Sequence, residues 1–64
     1  MKTVKINELK EGQDITLFLR NGEKMRGVFQ FIDGDDVVLK PLNPNSKAPC
    51  LGWKMAWISK IVLN

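Results

Sequence analysis

From Asp14 to Arg20 the chain alternates, with Ile15, Leu17 and Leu19 on one side and Thr16, Phe18 and Arg20 on the other. A period of two marks a strand with one face on a core. Asn21-Gly22 follows, the strongest short hairpin signal, because a type I′ turn needs positive φ at both central residues. Glu23 to Ile32 reads as the return strand. Met25, Gly27, Phe29 and Phe31 share one of its faces; Lys24, Arg26, Val28, Gln30 and Ile32 share the other. Gly27 in mid-strand predicts a sharp bend, and a long, strongly bent second strand is how a small barrel closes. Asp33-Gly34-Asp35-Asp36 is the next turn and Val37-Val38-Leu39-Lys40 the third strand. Pro41 to Pro49, with three prolines, is a loop. Leu51 to Trp57 and Ile58 to Leu63 read as two more short strands. Ahead of them all, Ile6 to Gly12 predicts a short N-terminal helical turn capped by Asn7 and stopped by Gly12, or an irregular lead-in. The expected architecture is all-β: one domain over residues 1–64, a strongly bent five-stranded open barrel.

In the last strand the alternation breaks down, and apolar side chains emerge on both faces. A strand paired along an open edge by another chain reads this way. That makes Ala56, Trp57, Ile58, Ile61, Val62 and Leu63 candidates for an interface between subunits. The other reading is a bend that sends these side chains into one core. Size favours association: a domain this short buries only about 60% of the surface its unfolded chain exposes, and such domains rely on disulfides, metal or other chains.

Composition narrows the classes. Ten Lys+Arg against seven Asp+Glu give a net charge of +3, and 44% of residues are hydrophobic. That balance excludes a disordered tail, a collagen-like repeat and a coiled coil. No apolar run approaches the ~20 residues of a membrane span, and Met1-Lys2-Thr3-Val4-Lys5 is not followed by the apolar stretch of a secretory signal. The lone Cys50 forms no internal disulfide, and no Cys/His cluster offers a metal site. A cytoplasmic, reducing setting is expected. Without histidine, and with Cys50 lacking a base, no enzymatic chemistry and no cofactor is expected.

The run Ile15-Thr-Leu-Phe-Leu-Arg-Asn-Gly-Glu-Lys-Met-Arg-Gly-Val-Phe-Gln-Phe-Ile-Asp33 resembles the first motif of Sm-like proteins. That motif joins a hydrophobic strand ending in Asn-Gly to a strand with a bend glycine five positions later and then an Asp: here Asn21-Gly22, Gly27 and Asp33. The segment Trp53-Lys54-Met55-Ala56-Trp57-Ile58-Ser59 resembles the second motif of the bacterial Hfq branch, Tyr-Lys-His-Ala-Ile-Ser, with Trp for Tyr, Met for His and Trp57 inserted. The likeness covers roughly residues 14–63. It implies a bent five-stranded barrel and a closed homo-oligomeric ring of about five to seven subunits, in which the fourth strand of one subunit pairs with the fifth of the next. It also implies single-stranded RNA as partner.

Candidate binding residues follow from both lines. Phe18 lies on the polar face beside Arg20, Lys24 and Arg26, a stacking platform with phosphate-neutralising charges around it; the alternative is packing against the N-terminal segment or Val28. Lys54 matches the basic residue of the second motif, which in relatives faces the pore and contacts RNA. Trp53 can stack a base or fill the core. The acidic turn departs from the family, whose members hold a stacking residue near position 35; three carboxylates there repel phosphate. The expected function is RNA binding in RNA metabolism or post-transcriptional regulation. The alternative is a small barrel serving as a protein-interaction or assembly module with no RNA role.

Overall fold

The computed structural model describes residues 2–42 and 50–64. Six strands form one antiparallel sheet: β1 (Lys2–Val4), β2 (Asp14–Leu19), β3 (Lys24–Asp33), β4 (Asp36–Pro41), β5 (Leu51–Lys54) and β6 (Ile58–Leu63). Their spatial order is β1-β6-β2-β3-β4-β5. Two 3₁₀ turns complete the order, η1 (Ile6–Glu8) after β1 and η2 (Met55–Trp57) between β5 and β6. The fold is all-β, with one strand more than the alternation predicts. Lys2-Thr3-Val4 is too short to show a period, and it becomes a strand only by pairing with Ile61 to Leu63 of β6. Most of the expected proline loop lies outside the described residues; Pro41 itself closes β4, opposite Gly27. Among the described residues no helix is long and apolar enough to cross a membrane.

The connection η2 forces the sheet to curl. β5 and β6 stand four positions apart in the sheet, which laid flat is about 19 Å. Four Cα steps from Lys54 to Ile58 reach at most about 15 Å, and a 3₁₀ turn rises only about 2 Å per residue. The two ends of the sheet therefore approach each other, and the inward faces of its strands meet in one core. Ile15, Leu17 and Leu19 of β2, Phe29 of β3, Val37 and Leu39 of β4, and Ile58 and Ile61 of β6 form that core, with Val4, Ile6, Leu9, Met25, Trp53, Met55 and Leu63 packed against it. The radius of gyration, 10.8 Å, matches the about 10.7 Å of a compact chain of this length. β5 and β6 are not hydrogen-bonded to each other, so the barrel stays open along that seam.

Two bulges reset the alternation. On β3, Phe29 pairs with Leu39 and Phe31 with Val38, so Gln30 is the extra residue. One extra residue moves every later side chain to the opposite face. Phe31, expected inward with Phe29, thus points outward and is 54% exposed, and Ile32 pairs with Val37 but stays 37% exposed near the end of β3. On β6, Leu19 pairs with Ile58 and Phe18 with Lys60, leaving Ser59 as the extra residue. That is how Ile58 and Ile61, three apart, both face the core.

The turns also differ from expectation. Among the described residues no residue other than glycine has positive φ, so Asn21 does not form a type I′ turn. Gly22 N–H donates to the Leu19 carbonyl at 3.1 Å and Leu19 N–H to the Glu23 carbonyl at 2.8 Å. Arg20-Asn21-Gly22 is a three-residue loop, a type I turn followed by a left-handed glycine at φ +93°. In the N-terminal turn Asn7 lies inside η1 rather than capping it; the Lys5 N–H is held by Glu8 Oε1 at 3.0 Å. The expected fourth strand ends at Lys54, where η2 begins. Cys50 is exposed.

Gly27 marks a close approach of strands; the register shift falls at Gln30 instead. A Cβ on Gly27 would stand 2.8 Å from the Lys40 carbonyl oxygen and 3.0 Å from Leu39 Cβ. Gly27→Ala is expected to destabilise the fold by about 1–3 kcal/mol, read from the midpoint of urea unfolding. An unchanged midpoint would show that β4 gives way without loss.

Candidate nucleic-acid interface

Because β2 lies between β3 and β6, the outward side chain of Phe18 has a neighbour on each flank. Phe18 pairs with Lys24 on one side and Lys60 on the other. The Lys24 ammonium stands 5.4 Å from the centre of the Phe18 ring and the Lys60 ammonium 4.7 Å. Both distances are within the range at which a cation is attracted to the ring quadrupole. The ring is half-buried and both lysines are exposed. Among the described residues neither lysine is in an ion pair. Two like charges thus share one aromatic surface, which an anionic polymer would neutralise.

One row further along the same face, Thr16 separates Arg26 from Val62. Arg26 is engaged there by Asp14 through two bonds, Nε to Oδ1 at 3.1 Å and Nη2 to Oδ2 at 2.7 Å. Asn64 Nδ2 donates to the same carboxylate at 3.1 Å and to Thr16 Oγ1 at 2.9 Å. The Arg26 hydrogen bond, then that of Asn64, holds the Asp14 carboxyl below the usual aspartate range, and Asp14 in turn raises Arg26. Arg26 therefore ties the β2–β3 ladder to the C-terminus, and its charge is already met.

The second group lies at η2. Arg20 N–H donates to the Trp57 carbonyl at 2.8 Å, and Arg20 Nε to the Ala56 carbonyl at 2.8 Å. The β2–β3 hairpin is thereby tied to the turn that joins the sheet's ends. Trp57 is 56% exposed, and the Lys54 ammonium stands 5.6 Å from its ring. Between hairpin and turn lies a cleft of about 370 Å³ lined by Leu19, Arg20, Asn21 and Trp57. Trp53, by contrast, is half-buried opposite Val37 and packs on the core.

The five residues expected to touch RNA thus separate. Phe18 and Lys24 sit together, Lys54 joins Trp57, Arg26 is paired with Asp14, and Trp53 serves the core. Lys60 was missed. It shares a row with Phe18 only through pairing across more than forty positions of sequence and through the bulge at Ser59, neither of which has a local signal. Of the expected interface residues, Ile58, Ile61 and Val62 are buried within the single chain, Leu63 is half-buried, and Ala56 and Trp57 are exposed. β1 covers the outer edge of β6 from Ile61 to Leu63, while no strand among the described residues pairs with the outer edge of β5. In the acidic turn, Asp33 pairs with Asp36 around Gly34-Asp35, and the Asp35 carbonyl accepts the Met55 N–H at 2.8 Å. No cluster of metal-ligating side chains occurs among the described residues.

Comparison with protein-family models, with curated proteins and with solved structures returns no match.

A carboxylate stabilised in its charged form contributes to stability above its unfolded pKa, and the contribution is lost as pH falls through the lower folded value. Asp14 is expected to titrate below the ~3.9 of an unperturbed aspartate in a carboxyl-carbon NMR titration, and Arg26→Gln to raise that midpoint. A wild-type midpoint at or above ~3.9 would mean the pair does not persist in solution.

Proposed function

We propose that the protein is an Sm-like small barrel that binds single-stranded RNA, with a role in RNA metabolism or post-transcriptional regulation and no chemistry of its own. The observation that carries this reading is the row Lys24–Phe18–Lys60, an aromatic ring between two ammonium groups that lack carboxylate partners among the described residues. Single strands are recognised by stacking of unpaired bases on such rings with cations alongside for the phosphates. The net charge of +3 is modest for one chain. A homo-oligomeric ring multiplies it and gives a polymer adjacent copies to visit, which raises avidity without new contacts. In this reading the outer β5 edge of one copy meets the β6 side of the next, whose outer edge β1 partly covers.

A second reading, an assembly module without RNA, draws on the exposed apolar side chains of β3 and β5. Phe31 is 54% exposed, Leu51 45% and Ile32 37%.

Fluorescence anisotropy with A-rich and U-rich oligoribonucleotides separates the two. Binding is expected to weaken as salt rises, with a log–log slope of about −0.7 per phosphate neutralised. Phe18→Ala is expected to cost about 1–3 kcal/mol of binding at unchanged fold, since the ring lies outside the core. Flat titrations at low salt with both oligomers would discard the RNA reading. Light scattering is expected to give a mass of five to seven chains; a strictly monomeric protein at working concentration would remove the ring.

A further inference from the structure

We propose that the cleft between the β2–β3 hairpin and η2 is a subsite for one nucleobase, stacked on Trp57 and read by hydrogen-bond donors of Arg20 and Asn21. The proposal rests on the RNA reading above and takes Trp57 out of any interface between subunits.

Three observations converge there. The first is the platform. Trp57 is the most exposed of the large apolar side chains among the described residues, at 56%, yet its backbone is fixed by the Arg20 N–H on its own carbonyl and the Arg20 Nε on that of Ala56. A large ring on a fixed backbone has only two side-chain torsions to order when a flat partner covers it, so little conformational freedom is lost. The second is charge. Lys54 places its ammonium 5.6 Å from the Trp57 ring, in position to meet a phosphate flanking a stacked base. Asp36 lies opposite Lys54 in the ladder without an ion pair between them.

The third is the polarity of the lining. The guanidinium of Arg20 carries only donors, and one of its five N–H groups is used on Ala56. Asn21 Oδ1 accepts the Glu23 N–H at 3.0 Å, while its amide NH₂ has no partner among the described residues. The Leu19 carbonyl accepts the Gly22 N–H, and the Trp57 carbonyl the Arg20 N–H. The polar side-chain groups left free in the cleft are therefore donors. Uracil, with two carbonyl oxygens and no exocyclic amine, meets such donors with fewer donor–donor conflicts than adenine, whose amine lies beside its N1 and N7 acceptors. The Phe18 row, by contrast, holds ammonium groups on flexible stems beside a ring, donors without the fixed geometry of a planar fork.

The test uses the intact protein and U-rich or A-rich oligoribonucleotides. In wild type, the indole N–H resonance of Trp57, assigned by its loss in Trp57→Ala, is expected to shift on titration with the U-rich strand and much less with the A-rich one. Trp57→Ala is expected to weaken U-rich binding by about 5- to 140-fold, while Trp57→Phe, which keeps a flat ring, restores most of it. If the U-rich strand binds, Phe18→Ala weakens it, and yet the Trp57 resonance stays still and Trp57→Ala binds as wild type, the subsite is refuted and the RNA reading survives. A larger Trp57 shift with the A-rich strand refutes the donor-based selection. A Trp57 shift that follows protein concentration alone assigns the cleft to a second copy of the chain. No binding of either strand removes the RNA reading and the subsite together.

Discussion

The three residues of η2 set the shape of this molecule. They join strands that stand at opposite sides of a six-stranded sheet, and they are too few to do so unless the sheet curls. Curling brings the inward faces of β2, β3, β4 and β6 together, so a single sheet supplies both walls of its own core. The same turn receives the β2–β3 hairpin through Arg20, and that contact creates the cleft beneath Trp57. Core and candidate site therefore share one mechanical origin. A longer connection would relax the curl, expose Ile58 and Ile61, and separate the hairpin from the tryptophan.

Two single-residue bulges make the closure compatible with the sequence. Gln30 turns Phe31 outward and sets Ile32 opposite Val37; Ser59 lets Ile58 and Ile61 both face inward while Lys60 joins Phe18 outside. Bulges bend a strand and increase its local twist, which a barrel of short strands requires. At this site the same bulge that directs isoleucines into the core also places a cation on an aromatic ring. Fold and candidate function are coupled at Ser59.

The cations divide into two groups by what they touch. Arg20 and Arg26 bond acceptors inside the chain, Arg20 with one guanidinium N–H on the Ala56 carbonyl and Arg26 with two on Asp14. Lys24, Lys60 and Lys54 lie over aromatic rings, at distances where attraction is modest at an exposed site. Arginine suits the first task, because its planar fork satisfies fixed acceptors, and lysine suits the second, because its single charge on a flexible stem can move from ring to phosphate.

Much of the fold was legible because its causes are local. Ile15, Leu17 and Leu19 announce a half-buried strand by their spacing alone, and the glycine after Asn21 announces the reversal, though not which turn performs it. Phe18 and Lys24 were legible as neighbours because a short hairpin sets their register. The strand at Lys2 to Val4, the position of Lys60 beside Phe18, the packing of Trp53 on the core with Trp57 left exposed, and the pairing of Arg26 with Asp14 were settled only in the tertiary structure. Each depends on which distant segment lies alongside. A hydrophobic period reports what one strand wants of water; pairing partners, bulges and the face a tryptophan finally presents depend on the closure of the whole sheet, which no single stretch of chain encodes.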